Sequence, residues 1–195
     1  MQHDVKQISL RKAKIDDFDF FYSIKSEKSN IYWTGHDKKP DAFSLKIWFE
    51  GQINSEKRLI YIIYLNDVKV GYSYLDIITD SIIETEGLEK ILESPKTLID
   101  NSYINKKDKV IIEISIGISE VYQNQGLGNF AIETLLKLIK NEYKFFKIIC
   151  WILENNVTSQ KIFKKNSFYP TIDVRNQYIP CDDKTYQMRK YIYDV

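Results

Sequence analysis

Cysteine is nearly absent from this chain: among 195 residues there are two, Cys150 and Cys181. Two cysteines cannot build a disulfide framework, so the fold has to rest on burial. Cys150 sits in the apolar run 147–152, where a cysteine acts as a small buried hydrophobe rather than a nucleophile. The two histidines, His3 and His36, stand far apart, and no zinc spacing occurs, so no metal is expected. Glycine (seven) and proline (four) are scarce, which excludes collagen-like and Pro/Gly-rich disordered chains. Neither sign of charge prevails: 28 Lys and Arg stand against 27 Asp and Glu, a net of +1. No overall basic field exists to hold nucleic acid, so no nucleic-acid partner is expected. No apolar run approaches the ~20 residues of a membrane span, so no membrane partner is expected. The first six residues carry no apolar signal segment, and the expected location is the cytoplasm.

What is present is an ordinary globular composition, 44% hydrophobic and 28% charged. A chain of this length buries about 70% of its unfolded surface and needs no covalent staples. The expected organisation is a single domain over 1–195, with an irregular insertion at about 79–109. Alternation and β-branched content predict strands at 7–12, 58–65, 68–78, 110–118, 146–153, 168–174 and 186–193. Asn66-Asp67 is a turn signal between the second and third of these. Helical spacing predicts helices opened by Asp16-Asp17 and by Pro40-Asp41, and further helices over 126–141 and 157–165. Residues 30–41 read as a loop. The insertion holds two short helical stretches, 87–93 and 96–101. Mixed strands and helices make this an α+β fold with a mixed sheet.

The chemistry concentrates in Gln123-Asn124-Gln125-Gly126-Leu127-Gly128, between a strand and a helix. Two of the seven glycines fall here. Glycine lets the backbone approach a ligand closely. The helix N-terminus adds unpaired N–H groups and partial positive charge, an anion cradle that suits a pyrophosphate. No Gly-Lys-Ser/Thr follows, so this is not a P-loop, and the third glycine of a dinucleotide fingerprint is missing.

Gln-x-x-Gly-x-Gly in this setting resembles the acetyl-CoA loop of the GNAT superfamily of N-acetyltransferases. A second stretch, from Asn156 through Ser159, Phe163 and Lys165 to Phe168, is similar to that superfamily's Asn-x-x-Ser/Ala-x-x-x-Tyr/Phe-x-Lys-x-Gly-Phe, with Ser167 where the pattern has glycine. The resemblance implies a central, mixed but mostly antiparallel sheet of about seven strands flanked by helices. It implies acetyl-CoA as co-substrate and no metal. By position, Ile116, Gly117 and Ile118 would pair with the pantetheine arm. Gln123, Asn124, Gln125, Gly126, Leu127, Gly128 and Asn129 would form the cradle, and Asn156 would reach the pantetheine or thioester. Capping the following helix is an equally natural role for Asn156. Lys161, Lys164 and Lys165 suit a solvated helix face better than the phosphates.

The implied reaction is direct attack of an amine on the thioester. An alkylamine, with a pKa near ~10.4, must first lose a proton. Glu113 is the candidate base, on the strand face shared with Ser115, with Glu154 as runner-up. The tyrosine that often protonates the leaving thiolate is replaced by Phe163, which leaves Ser159, Tyr122 and Tyr169 as hydroxyls near the motif. Backbone N–H groups near Ile118 could steady an oxyanion. For the acceptor, Trp33 and His36 in the 30–40 loop stand out. So does Asp76, which opens a stretch to Asp100 with seven acids and two lysines. An acidic segment attracts a cationic amine. Three functions follow: acetylation of a small-molecule amine such as an amino sugar or aminoglycoside, acetylation of a peptide or protein N-terminus, or acetyl-CoA binding without catalysis. Monomer and homodimer are both compatible with the sequence.

Overall fold

Arg58–Leu65 (β2) carries an unbroken aromatic and β-branched run whose inner six residues are all buried. In the computed structural model, which describes residues 7–79, 110–143 and 145–194, this strand lies inside one seven-stranded sheet. Ile8–Lys12 (β1) and Val68–Thr79 (β3) flank β2, both antiparallel. Asn66 and Asp67 join β2 to β3 with φ of 50° and 75°. Two consecutive left-handed residues turn the chain in the sense that matches strand twist, which explains the choice of Asn-Asp. Val110–Ile118 (β4), Phe145–Leu153 (β5), Tyr169–Ile179 (β6) and Lys184–Asp194 (β7) complete the order β1-β2-β3-β4-β5-β7-β6. Among the described residues only β4 and β5 pair in parallel, because Leu127–Glu142 (named α4 below) crosses between them.

Alternation along the strands supplies two apolar faces. Leu59, Tyr61, Ile112, Ile114, Ile148, Cys150 and Ile152 pack with the helix 127–142 and with Phe163 and Phe168. Ile60, Ile62 and Tyr72 pack on the other face with Phe18–Lys25 (α1) and Ala42–Ile53 (α3), through Phe21, Ile24 and Phe49. Cys150 is therefore the buried hydrophobe that the sequence indicates.

Two expectations need correction. Residues 30–41 are not all loop, since Lys28–Trp33 forms a one-and-a-half-turn helix (α2). Six residues are too few to show a helical period, and tertiary contacts hold this one. Asn30 is buried and accepts from the Tyr72 hydroxyl at 3.0 Å, while the Ser29 N–H donates to Glu120 at 2.6 Å. Strands β6 and β7 also extend beyond 168–174 and 186–193. β6 is an edge strand whose half-buried positions Asp173, Arg175 and Gln177 are polar, so hydrophobic alternation could not mark its end. The two short helices read at 87–93 and 96–101 lie outside the described residues.

Val157–Lys165 (α5) ends in a left-handed residue, Ser167, with φ of 67°. The Phe168 N–H reaches the Phe163 carbonyl at 3.0 Å and the Ser167 N–H reaches that of Lys164 at 3.1 Å. The rings of Phe163 and Phe168 meet edge to face, 5.0 Å apart. This is the Schellman arrangement, whose left-handed position favours glycine. Serine there bears a steric cost of about 1–2 kcal/mol. Ser167→Gly should therefore stabilise the protein and raise the melting temperature by roughly 2–4 °C. A lower melting temperature would show that the exposed serine holds a contact worth more than this strain.

Candidate active site

β4 pairs with β3 along its whole length, from Val110 to Ile118. It pairs with β5 only from Val110 to Glu113. Beyond that point the two strands diverge, and a cleft of about 640 Å³ opens between them. Ile114, Ser115, Ile116, Gly117 and Ile118 line one wall, and Cys150, Trp151, Ile152 and Leu153 the other. Strand edges without a strand partner can pair with an extended ligand that carries amides.

Helix α4 closes one end of the cleft. The loop before it is fixed by Gln123, whose Nε2 donates to the Ile118 carbonyl at 2.9 Å and to Ser29 Oγ at 3.2 Å. Asn124 and Gly126 then take left-handed φ of 59° and 77°. Gly126 is the N-cap and supplies no side chain to the first turn, so the opening N–H groups face the cleft without a side-chain cap. A Cβ on Gly126 would stand in open space. Glycine is thus required there by the backbone angle, and among the described residues nothing beyond its chain neighbours lies within 4 Å of that Cβ position. Gly128 is different: a Cβ would come within 3.1 Å of Ile162 Cδ1, so this glycine lets α5 approach α4.

The structure sorts the residues singled out in the sequence. Glu113, Ile116, Gly117, Ile118, Gln123, Asn124, Gly126, Leu127, Gly128, Asn156 and Trp33 all line the cleft. Asn156 also caps α5, its Oδ1 accepting from the Ser159 N–H at 3.1 Å, so its two expected roles share one place. Gln125 is not among the lining residues and donates to the Val121 carbonyl. Asn129 is tied to Glu133 and Asn166, joining α4 to the end of α5. Lys161, Lys164 and Lys165 are exposed and lie off the cleft wall. His36 is exposed and also lies off it, with its carbonyl facing the Cys181 thiol. The partial loss of water around its ring and the charge of Lys25 push its imidazole pKa down, against the opposite pull of Asp37. Asp76 is held bidentately by Arg58, at 2.5 and 2.8 Å. Asp76 is the register partner of Glu113 on β3, and it does not line the opening. Glu154 is engaged by Arg189 at 2.6 Å and does not line the cleft. The acids from Asp80 to Asp100 lie outside the described residues.

Burial pushes the Glu113 pKa above the ordinary glutamate value, and the neighbouring Asp76 adds to this; Arg175, Arg58 and Lys190 act the other way. A carboxylate raised in this manner is a better proton acceptor near neutrality. Phe163 is buried, lines the cleft and packs on Phe168. Of the hydroxyls named from sequence, Tyr122 and Ser159 line the cleft, whereas Tyr169 is bound to Asp194 elsewhere.

Several lining residues escaped the sequence reading. Tyr72 and Tyr74 project from β3 with the period of Asp76, a signal available in principle. Lys25 donates to the Tyr72 hydroxyl at 3.4 Å, and its pKa is lowered to about 8 by burial and then by Arg58. Arg175 arrives from the edge strand β6, far in sequence from Glu113 and from the loop before α4. Nothing local marks it. Among the described residues no group of three His, Cys, Asp or Glu side chains is placed to hold a metal ion. No helix there is long and apolar enough to cross a membrane.

Residues 7–169 match the family model of the acetyltransferase (GNAT) domain. No curated protein matches the sequence. Among solved structures, spermidine N-acetyltransferase from Vibrio cholerae in complex with CoA and spermine superposes with a TM-score of 0.74 at 13% identity, covering 96% of this chain and 95% of that one. Aminoglycoside acetyltransferase AAC(6')-Ib in complex with coenzyme A gives 0.68 at 16% identity, with coverage of 96% and 95%. A GNAT-family acetyltransferase from Streptococcus pneumoniae gives 0.65 at 15%, with coverage of 97% and 100%.

Proposed function

Because the chain belongs to the GNAT acetyltransferase family, we propose that it transfers an acetyl group from acetyl-CoA to the primary amine of a small molecule. The observation that carries this reading is the parting of β4 from β5 directly beyond Glu113. It sets an unpaired strand edge, an anion cradle and a raised carboxylate around one opening. The site fits acetyl-CoA. The edge 114–118 offers backbone groups to the amides of a pantetheine arm. The N-terminus of α4, which has no side-chain cap, offers N–H groups to a pyrophosphate beside the open space at Gly126. When bound, acetyl-CoA supplies an activated acetyl thioester.

Glu113 takes the proton that the amine must lose as its nitrogen forms the new C–N bond and the C–S bond breaks. Phe163 has no proton for the departing sulfur, so a lining hydroxyl, that of Tyr122 or Ser159, or water supplies it. A small acceptor is favoured because α2 is fastened beside the opening. Tyr32 donates to Asp182 at 2.6 Å and accepts from Asn155 at 3.1 Å, while Glu27 accepts from Ser119 Oγ and the Glu120 N–H. A peptide groove would call for a freer rim.

The test is a thiol-release assay with acetyl-CoA and a panel of primary amines and short peptides, products being identified by mass. Turnover of small amines, with one acetyl group added, is expected. Turnover of peptides alone would move the reading to N-terminal acetylation. Calorimetric binding of acetyl-CoA with no acceptor turned over would leave a binding protein.

A further inference from the structure

The half-buried Arg175 lines the cleft with its guanidinium 4.6 Å from the centre of the Trp151 ring. Its neighbours on this face of the sheet have found anions. Lys190, which also lies over Trp151, reaches Asp173 at 2.7 Å, and Arg58 holds Asp76 in a fork. Arg175 makes no hydrogen bond and no ion pair among the described residues. Its five N–H donors meet no protein acceptor among the described residues and are not sealed from solvent, so they are open to a ligand in the cleft.

Glu113 lies in the same cleft, likewise without a hydrogen bond or ion pair among the described residues. The two feel each other's charge: Arg175 is the strongest electrostatic influence on Glu113, and Glu113 acts back on Arg175. They are near enough to interact through space and too far apart to pair. A carboxylate and a guanidinium facing one opening, both unsatisfied, are complementary to a molecule that carries an amine and an anion together.

We propose that the acceptor is an amine that also bears a carboxylate, an amino-acid-like molecule, with Arg175 binding its carboxylate while Glu113 receives its amine. This rests on the acetyltransferase reading and narrows its acceptor. Arg175 is suited to the task because its planar fork matches the two oxygens of a carboxylate. The stack on Trp151 fixes the plane of that fork before the ligand arrives. An acceptor made only of amines would meet Arg175 as a repelling charge. One with both groups brings no net charge into the cleft.

The experiment uses the full chain loaded with CoA and matched pairs of ligands: L-amino acids and the corresponding amines without the carboxylate. Calorimetry measures binding of each member, and thiol release with acetyl-CoA measures turnover. Wild type should favour the carboxylated member by about ten- to a hundredfold, the usual worth of a charge-assisted pair. In Arg175→Met, which keeps an apolar stem against Trp151, the ratio within each pair should fall toward one. Arg175→Lys keeps the charge and loses the fork, so it should retain part of the preference. A preference that survives in a folded Arg175→Met protein overturns the assignment, because the anion site is then elsewhere. Wild type favouring the plain amines, or binding neither member, overturns it as well. Failure of the acetyltransferase reading itself looks different: acetyl-CoA is then consumed with no amine, carboxylated or plain, whether or not it binds.

Discussion

Glu113→Gln should slow acetyl transfer by about 10²–10⁴-fold, the usual worth of a general base. The affinity for acetyl-CoA should hardly change, because the cradle at Gly126 is formed by another part of the chain. The loss should shrink as pH rises, since more of the amine then arrives already deprotonated. In wild type the acidic limb of the pH–rate profile should lie above the ordinary glutamate range, because burial raises the Glu113 pKa. Stability separates this role from a structural one. A carboxyl whose folded pKa exceeds its unfolded value contributes stability that is complete below the unfolded value and is lost as pH rises through the folded one. Glutamine stays neutral and avoids that loss. Glu113→Gln should therefore melt at or above wild type at neutral pH, with the difference vanishing below the ordinary glutamate pKa. A variant that melts earlier and loses acetyl-CoA binding along with activity would make Glu113 a structural residue. Wild-type rates at every pH would remove it from the mechanism and leave a water chain as the base.

Gly126→Glu should abolish acetyl-CoA binding in a protein that still folds. Two effects act together. Position 126 has φ of 77°, so a side chain there costs about 1–2 kcal/mol of backbone strain. The larger effect is electrostatic: the new carboxylate projects into the open space at the N-terminus of α4, where an anion has to sit. Calorimetry should show an affinity loss of more than about a hundredfold, on the order of 3 kcal/mol or more. Gly126→Ala is the control, because it bears the backbone strain without the charge and should keep measurable binding. Unchanged affinity in a folded Gly126→Glu protein would place the phosphates elsewhere and end the acetyl-CoA reading of this loop.

The local part of this protein was legible in its sequence because local rules write it there. Strand β2 follows from its β-branched and aromatic run, and the Asn66-Asp67 turn from residues that tolerate left-handed angles. The extent of α5 and the left-handed Gly126 at the start of α4 follow from helix periodicity and from glycine placed at a helix start. Alternation on β4 correctly separated Glu113 from Ile112 and Ile114. The placement of α2, Asp76 and Arg175 was decided only by the tertiary structure. Helix α2 is too short to carry a period and exists through its bonds to Tyr72 and Glu120. Asp76 stood out in sequence as an acceptor candidate, yet antiparallel register brings Arg58 beside it. Arg175 sits in a polar edge strand whose pattern says nothing of function; the strand order β5-β7-β6 lays it over Trp151, within the field of Glu113. Periodicity reports which face of its own element a side chain occupies. Which charges meet across elements distant in sequence depends on strand order and register, and no local pattern encodes those.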